Sequence, residues 1–177
     1  MKQDWPLSEL LTHFTITSQE FELLGNKAGS TRLGFAALLK FFLHEARFPQ
    51  AKNELPRVVI AHLALQVDVA AEEYLRFDWR GRAIKYHRSQ IRKFLGFREP
   101  TVQDVDEVAI WLATQTSHNL ANEDGLMELV YTRFREMKVE PATPERLQRL
   151  VRSVMHTFEE NFFTQLARTY RTLPKWS

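Results

Sequence analysis

The chain has 177 residues, with 24 Lys and Arg against 22 Asp and Glu and a formal net charge of +2, so any electrostatic function is local. Cysteine is absent, which excludes disulfides, thiol catalysis and cysteine-ligated zinc. The opening Met1-Lys-Gln-Asp-Trp-Pro6 has no apolar core, so no secretory signal is expected, and no apolar run approaches the ~20 residues of a membrane span.

The size suits one large domain or two small ones. Charge is uneven along it: residues 1–97 hold 14 basic and 10 acidic side chains (+4), residues 98–177 hold 10 and 12 (−2). Apolar residues recur at spacings of three and four, and Pro and Gly fall between segments, so the pattern predicts an all-α chain.

A first short helix is expected over Leu7–Phe14. Thr17-Ser-Gln-Glu20 has the form of a capping box, and Gly25-Asn26 can stop the helix it opens. Residues 30–49 are the most apolar stretch. Leu33, Ala37, Leu38, Phe41, Phe42 and Leu43 wrap most of the way round, which predicts a buried central helix ended by Pro49. Gly34 in its first turns costs about 1 kcal/mol relative to Ala, so another helix is expected to pack closely there. Pro56 suits the first turn of a helix bearing Val58, Val59, Leu63 and Val67, and Asp68 is a candidate cap for a further short helix, Val69–Phe77.

Phe77-Asp-Trp-Arg-Gly81 then leads into the most distinctive stretch of the chain. Between Arg76 and Arg98 lie eight Lys and Arg against one acid, Asp78. Wound as a helix over about 82–95, Ile84, Ile91 and Leu95 share one side, with His87 and Phe94 at its flank. Arg82, Lys85, Arg88, Ser89, Arg92 and Lys93 fill an arc beside and opposite that stripe. A row of outward cations suits nucleic-acid phosphate; the alternative is a solvated face on an ordinary core helix. Helix, turn and basic helix is the helix-turn-helix order, an order common in helical proteins generally.

Gly96 closes that helix and Arg98-Glu-Pro-Thr101 reads as a linker. Thr101-Val-Gln-Asp104 opens a helix carrying Val105, Val108, Ala109, Trp111 and Leu112 and ending near Ser117. Asn119–Asp124 reads as a polar bend. Leu126, Leu129, Val130, Phe134 and Met137 mark the next helix. After the stiff Glu140-Pro-Ala-Thr-Pro144, with Thr143 as cap, a helix over about 145–158 sets Leu147, Leu150, Val151, Val154 and Phe158 against Arg146, Arg149, Arg152 and His156. Asn161–Thr172 reads as a separate final helix, and Pro174-Lys-Trp-Ser177 as a frayed end or the start of more chain. The plan is thus two small helical modules of helix-turn-helix-like character, 1–98 and 99–177, each with one cationic helix.

Sites for chemistry are missing. The six histidines have no metal-ligand spacing, no glycine loop could cradle a phosphate, and Glu72-Glu73 and Glu159-Glu160 diverge by about 100° on a helix. No cofactor, metal or catalytic site is expected, which sets a catalytic fragment behind a binding module.

Several short motifs together resemble the N-terminal domain of the Tn-three family of transposases, the class II enzymes of replicative, cointegrate-forming transposons. They are Thr31-Arg-Leu-Gly-Phe-Ala36 with Leu39-Lys-Phe-Phe42, Arg47-Phe-Pro49, Leu55-Pro56, and Tyr74 with Asp78-Trp-Arg-Gly-Arg82. His87-Arg-Ser-Gln-Ile-Arg92, Phe94-Leu-Gly-Phe-Arg98, Glu140-Pro-Ala-Thr-Pro144, Arg146-Leu147, Arg149-Leu-Val-Arg152 and Phe158-Glu159 extend the likeness over about residues 5–173. The resemblance implies recognition of transposon terminal inverted repeats by helical modules in the bacterial cytoplasm, at the nucleoid when DNA-bound. It also implies that the acidic, magnesium-dependent site of such transposases lies in a C-terminal domain not contained in this chain. On that basis Arg80, Arg82, Lys93 and Arg98 are expected at phosphates, and Lys85, Arg88, Ser89 and Arg92 at base edges. Arg146, Arg149, Arg152 and His156 would take the equivalent task in the second module. The partner is double-stranded DNA, with other transposase subunits as further partners. The alternative is a helical protein-interaction or oligomerisation module without direct DNA contact.

Overall fold

The computed structural model describes residues 1–116 and 122–172, with side chains as far as Thr164 except at positions 116 and 162. Among these residues the fold is all-α, and the chain divides into two compact units, Met1–Phe97 and Arg98–Ser177.

In the first unit α1 spans Leu7–Phe14 and α2 Ser18–Leu24. The Thr17–Glu20 capping box is complete, and Gly25 ends α2 at φ +53°. Helix α3, Gly29–Glu45, is the core helix: Leu33, Phe35, Ala37, Leu38, Phe41 and Phe42 are all buried. Such all-round apolarity is what a helix packed on every side requires. Leu43 is exposed instead, and Lys40 is buried. Lys40 lies inside because its ammonium meets the Glu20 carboxylate, at 3.0 and 2.9 Å to the two oxygens.

Helix α4, Arg57–Val67, follows Pro56 as expected. Asp68 does not cap a following helix. It closes α4 in the left-handed conformation (φ 55°), and residues Ala71–Arg76 form a 3-10 turn. Asp tolerates that conformation better than most residues. Gln66 ties the end of α4 to the end of α1, accepting from Ile16 N at 2.8 Å and donating to Phe14 O at 2.9 Å. Helix α5, Arg82–Leu95, packs on α3 and is closed by Gly96 at φ +71°.

Gly34 marks a close approach, but no helix makes it. The Phe77 ring lies over Gly34, where a methyl group would overlap it. The 3-10 turn and the residues after it press on α3 and bring Phe77 into place.

Among its described residues the second unit holds three helices: α6, Val102–Thr116; α7, Glu123–Glu136; and α8, Pro144–Thr172. Val108, Leu112, Val130, Phe134, Leu147 and Val151 form its core. Thr101 and Asp104 cap α6 reciprocally, and Asn122 caps α7 through Gly125 N at 2.8 Å. The expected polar bend falls largely in 117–121 and the frayed end in 173–177, both outside the described residues. Two helices expected over 145–172 are one continuous helix of 29 residues. No Pro or Gly interrupts Phe158-Glu-Glu-Asn161, and Asn161, though of N-cap type, lies within the continuous helix, so nothing stops the first before the second begins.

Candidate nucleic-acid interface

Helix α5 is positioned from its start. The Asp78 carboxylate accepts from the backbone N–H groups of Arg80 and Gly81, both at 2.9 Å. Gly81 leaves room for that carboxylate, which a methyl group there would strike. Trp79 stands edge-on to Tyr74 (5.8 Å) and Phe77 (5.4 Å), so the turn is anchored in the unit's aromatic core. His87, Ile84 and Ile91 then face inward. His87 stacks on Phe77 at 6.0 Å and meets Phe35 edge-on at 5.4 Å, and burial, with the nearby Lys27 charge, pushes its pKa down. The imidazole is held in its neutral form as a core ring.

The cationic arc divides in two. Arg80, Arg82, Lys85, Ser89 and Lys93 are exposed, and none of these four cations has an ion-pair partner among the described residues. Arg88 is half-buried: it donates to Pro49 O at 3.0 Å and lies 5.2 Å from the Phe48 ring centroid. Arg92 is buried, at 9 % exposure. Both were expected on the outer arc, but they sit on its inner edge, where the stripe of Ile84 and Ile91 carries them against the fold. A long arginine stem covers apolar surface readily, so charge alone does not place it in solvent.

In the second unit the expected residues also separate. Arg98 grips Asp104 through its two terminal guanidinium nitrogens, Nη1 and Nη2, at 2.7 and 2.6 Å, and Thr101 adds its N–H and hydroxyl to the same carboxylate, each at 2.7 Å. Arg98 thereby fixes the start of α6. Arg152 pairs with Glu123 at 3.0 Å and His156 with Glu160 at 3.4 Å. Arg146 and Arg149 are exposed; Arg149 bonds a backbone carbonyl of its own helix, Glu145 O, at 3.3 Å. Their side of α8 borders a shallow hollow with Val105, Ala109 and Leu150.

Two features escaped the sequence reading. Tyr86, on the exposed side of α5, is 63 % exposed; its signal was its place at i+4 from Arg82. His13 and His44, far apart in sequence, meet edge-on at 5.5 Å in a cluster with Trp5 and Phe14. No group of three or more His, Asp or Glu able to hold a metal ion occurs among the described residues.

Residues 1–154 match a family described as a domain of unknown function, DUF4158. The chain belongs to that family. The match covers all of the first unit and the second as far as the apolar part of α8. No curated protein matches the chain. No helix among the described residues is long and apolar enough to cross a membrane.

Proposed function

We propose that this domain binds double-stranded DNA as the N-terminal part of a transposase of the Tn-three kind, recognising the terminal inverted repeats of its element. The observation that carries the reading is the outer face of α5 with the turn that leads into it, where Arg80, Arg82, Lys85 and Lys93 stand exposed without carboxylate partners among the described residues. Four such cations on one short stretch neutralise phosphates and release condensed counterions. Arg146 and Arg149 on α8 are the second unit's contribution. Cutting and joining of strands is assigned to another part of the transposase, and no cofactor is assigned to this one.

Binding to duplex DNA titrated with salt tests the reading. If these four cations each meet a phosphate, the log–log slope is about −3.6, at about −0.9 per contact. A transposon end should bind more tightly than a scrambled duplex. Absence of any salt-sensitive duplex binding removes the proposal.

The second reading is a helical protein-interaction module. Its support is the apolar outer surface of the neighbouring α1 and α4, where Leu7, Leu11, Val58 and Leu65 are exposed, Leu65 at 84 %. A pull-down that captures transposase subunits without DNA, combined with no duplex binding, would favour it.

A further inference from the structure

Resting on the DNA-binding reading above, we propose that Tyr86 is the residue through which α5 reads sequence, by laying its ring against the C5-methyl group of a thymine. Arg88 and Arg92 are taken up by the fold, so two of the expected base readers point the wrong way. On the helix, Arg82, Tyr86, Ser89 and Lys93 follow at i, i+4, i+7 and i+11, which places them within about 60° of one another. Tyr86 is the one large uncharged side chain in that row.

Its ring is open to solvent, and its hydroxyl already accepts a long hydrogen bond from Gln90 Nε2 at 3.4 Å. Besides the small Ser89 hydroxyl, what the face offers between its cations Arg82, Lys85 and Lys93 is this apolar ring. Cations on phosphates fix register but carry no base information. A ring held between them at groove depth meets base edges, and the apolar feature of the major-groove edge is the thymine methyl. Thymine-bearing steps are therefore the ligand class this position selects.

The test uses the whole chain and a duplex enriched from a randomised pool. Each thymine is replaced singly by uracil, which deletes only the methyl group. In the native protein one replacement should weaken binding about four-fold, the factor corresponding to burial of one methyl group. Tyr86→Ala should bind the thymine and uracil duplexes alike, while Tyr86→Phe keeps the difference. Arg82→Ala should weaken both duplexes without changing their ratio. Circular dichroism checks that Tyr86→Ala is folded. Discrimination that survives in Tyr86→Ala, or a native protein indifferent to every thymine, overturns the role of Tyr86 and leaves DNA binding standing. No duplex binding by the native protein overturns both.

Discussion

Glu20 and Lys40 form an ion pair inside the first unit, with both side chains almost fully buried and the ammonium at 2.9 Å from one carboxylate oxygen. Glu20 also accepts from Thr17 N at 2.7 Å, closing the capping box of α2. One carboxylate thus fixes the start of α2 and neutralises a charge on α3. Taking a single partner away leaves the other charge buried, a change that costs about 3–5 kcal/mol. Lys40→Ala should lower stability by that order in urea unfolding. The double variant Glu20→Gln with Lys40→Met keeps a capping acceptor and removes both charges. It should lose clearly less than the sum of the two single changes, and full additivity would show that the pair is not coupled.

The Phe77 ring over Gly34 leads to a second expectation. Gly34→Ala adds a helix-favouring residue in mid-helix, a gain of about 1 kcal/mol on propensity alone. The new methyl group would overlap the ring, and overpacking of a core commonly costs about 1–3 kcal/mol. Net destabilisation is expected in urea unfolding, with partial rescue by Phe77→Leu. A more stable Gly34→Ala protein would mean that Phe77 moves aside freely.

These two contacts mark the limit of what the sequence displayed. Most helix positions, the Thr17–Glu20 box, Pro56 and Gly96 are legible because their signals are local: a cap, a stop and a period. Lys40 is one polar interruption in an apolar run, and its partner lies on another helix. Gly34 announced a close neighbour without saying which. The same limit governed α5. Periodicity places Ile84, Ile91 and Leu95 on the inner stripe with His87 at its flank, but it does not divide the arc of cations beside them. Which arginines stay in solvent depended on Pro49 and Phe48, 39 and 40 residues upstream of Arg88.

The division of the arc predicts two kinds of variant. Arg82→Ala, Lys85→Ala and Lys93→Ala should leave the melting temperature within about 1–2 °C of native, as exposed surface changes do. Each should weaken binding to all duplexes alike and reduce the salt slope by about 1. Arg88→Ala and Arg92→Ala should instead lower stability, because each removes a stem packed on the fold. Thermal unfolding and duplex binding, measured side by side on the five variants, separate the groups. A stable Arg88→Ala protein with sequence-specific loss of binding would return that residue to the interface.

Acid should unfold the two units in different windows. In the first, burial holds the His87 pKa below its usual value, with the Lys27 charge adding to the effect, and burial does the same at His62. The folded state keeps these rings neutral while the unfolded chain takes protons near pH 6.5. Their contribution is complete above about pH 6.5 and is lost as pH falls through the lower folded values. In the second unit, the Arg98 guanidinium first, and Thr101 next, hold the Asp104 carboxyl well below the usual carboxylate range. Its contribution is present above the unfolded value of about 3.9 and disappears as pH falls through the folded one. Hydrogen exchange from pH 8 to 3 should therefore show residues 1–97 losing protection first and residues 98–172 only below about pH 4. His87→Leu should shrink the first loss, with His62 accounting for the remainder, and Asp104→Asn should flatten the second. A single simultaneous transition that neither substitution alters would show that these groups do not govern the acid response.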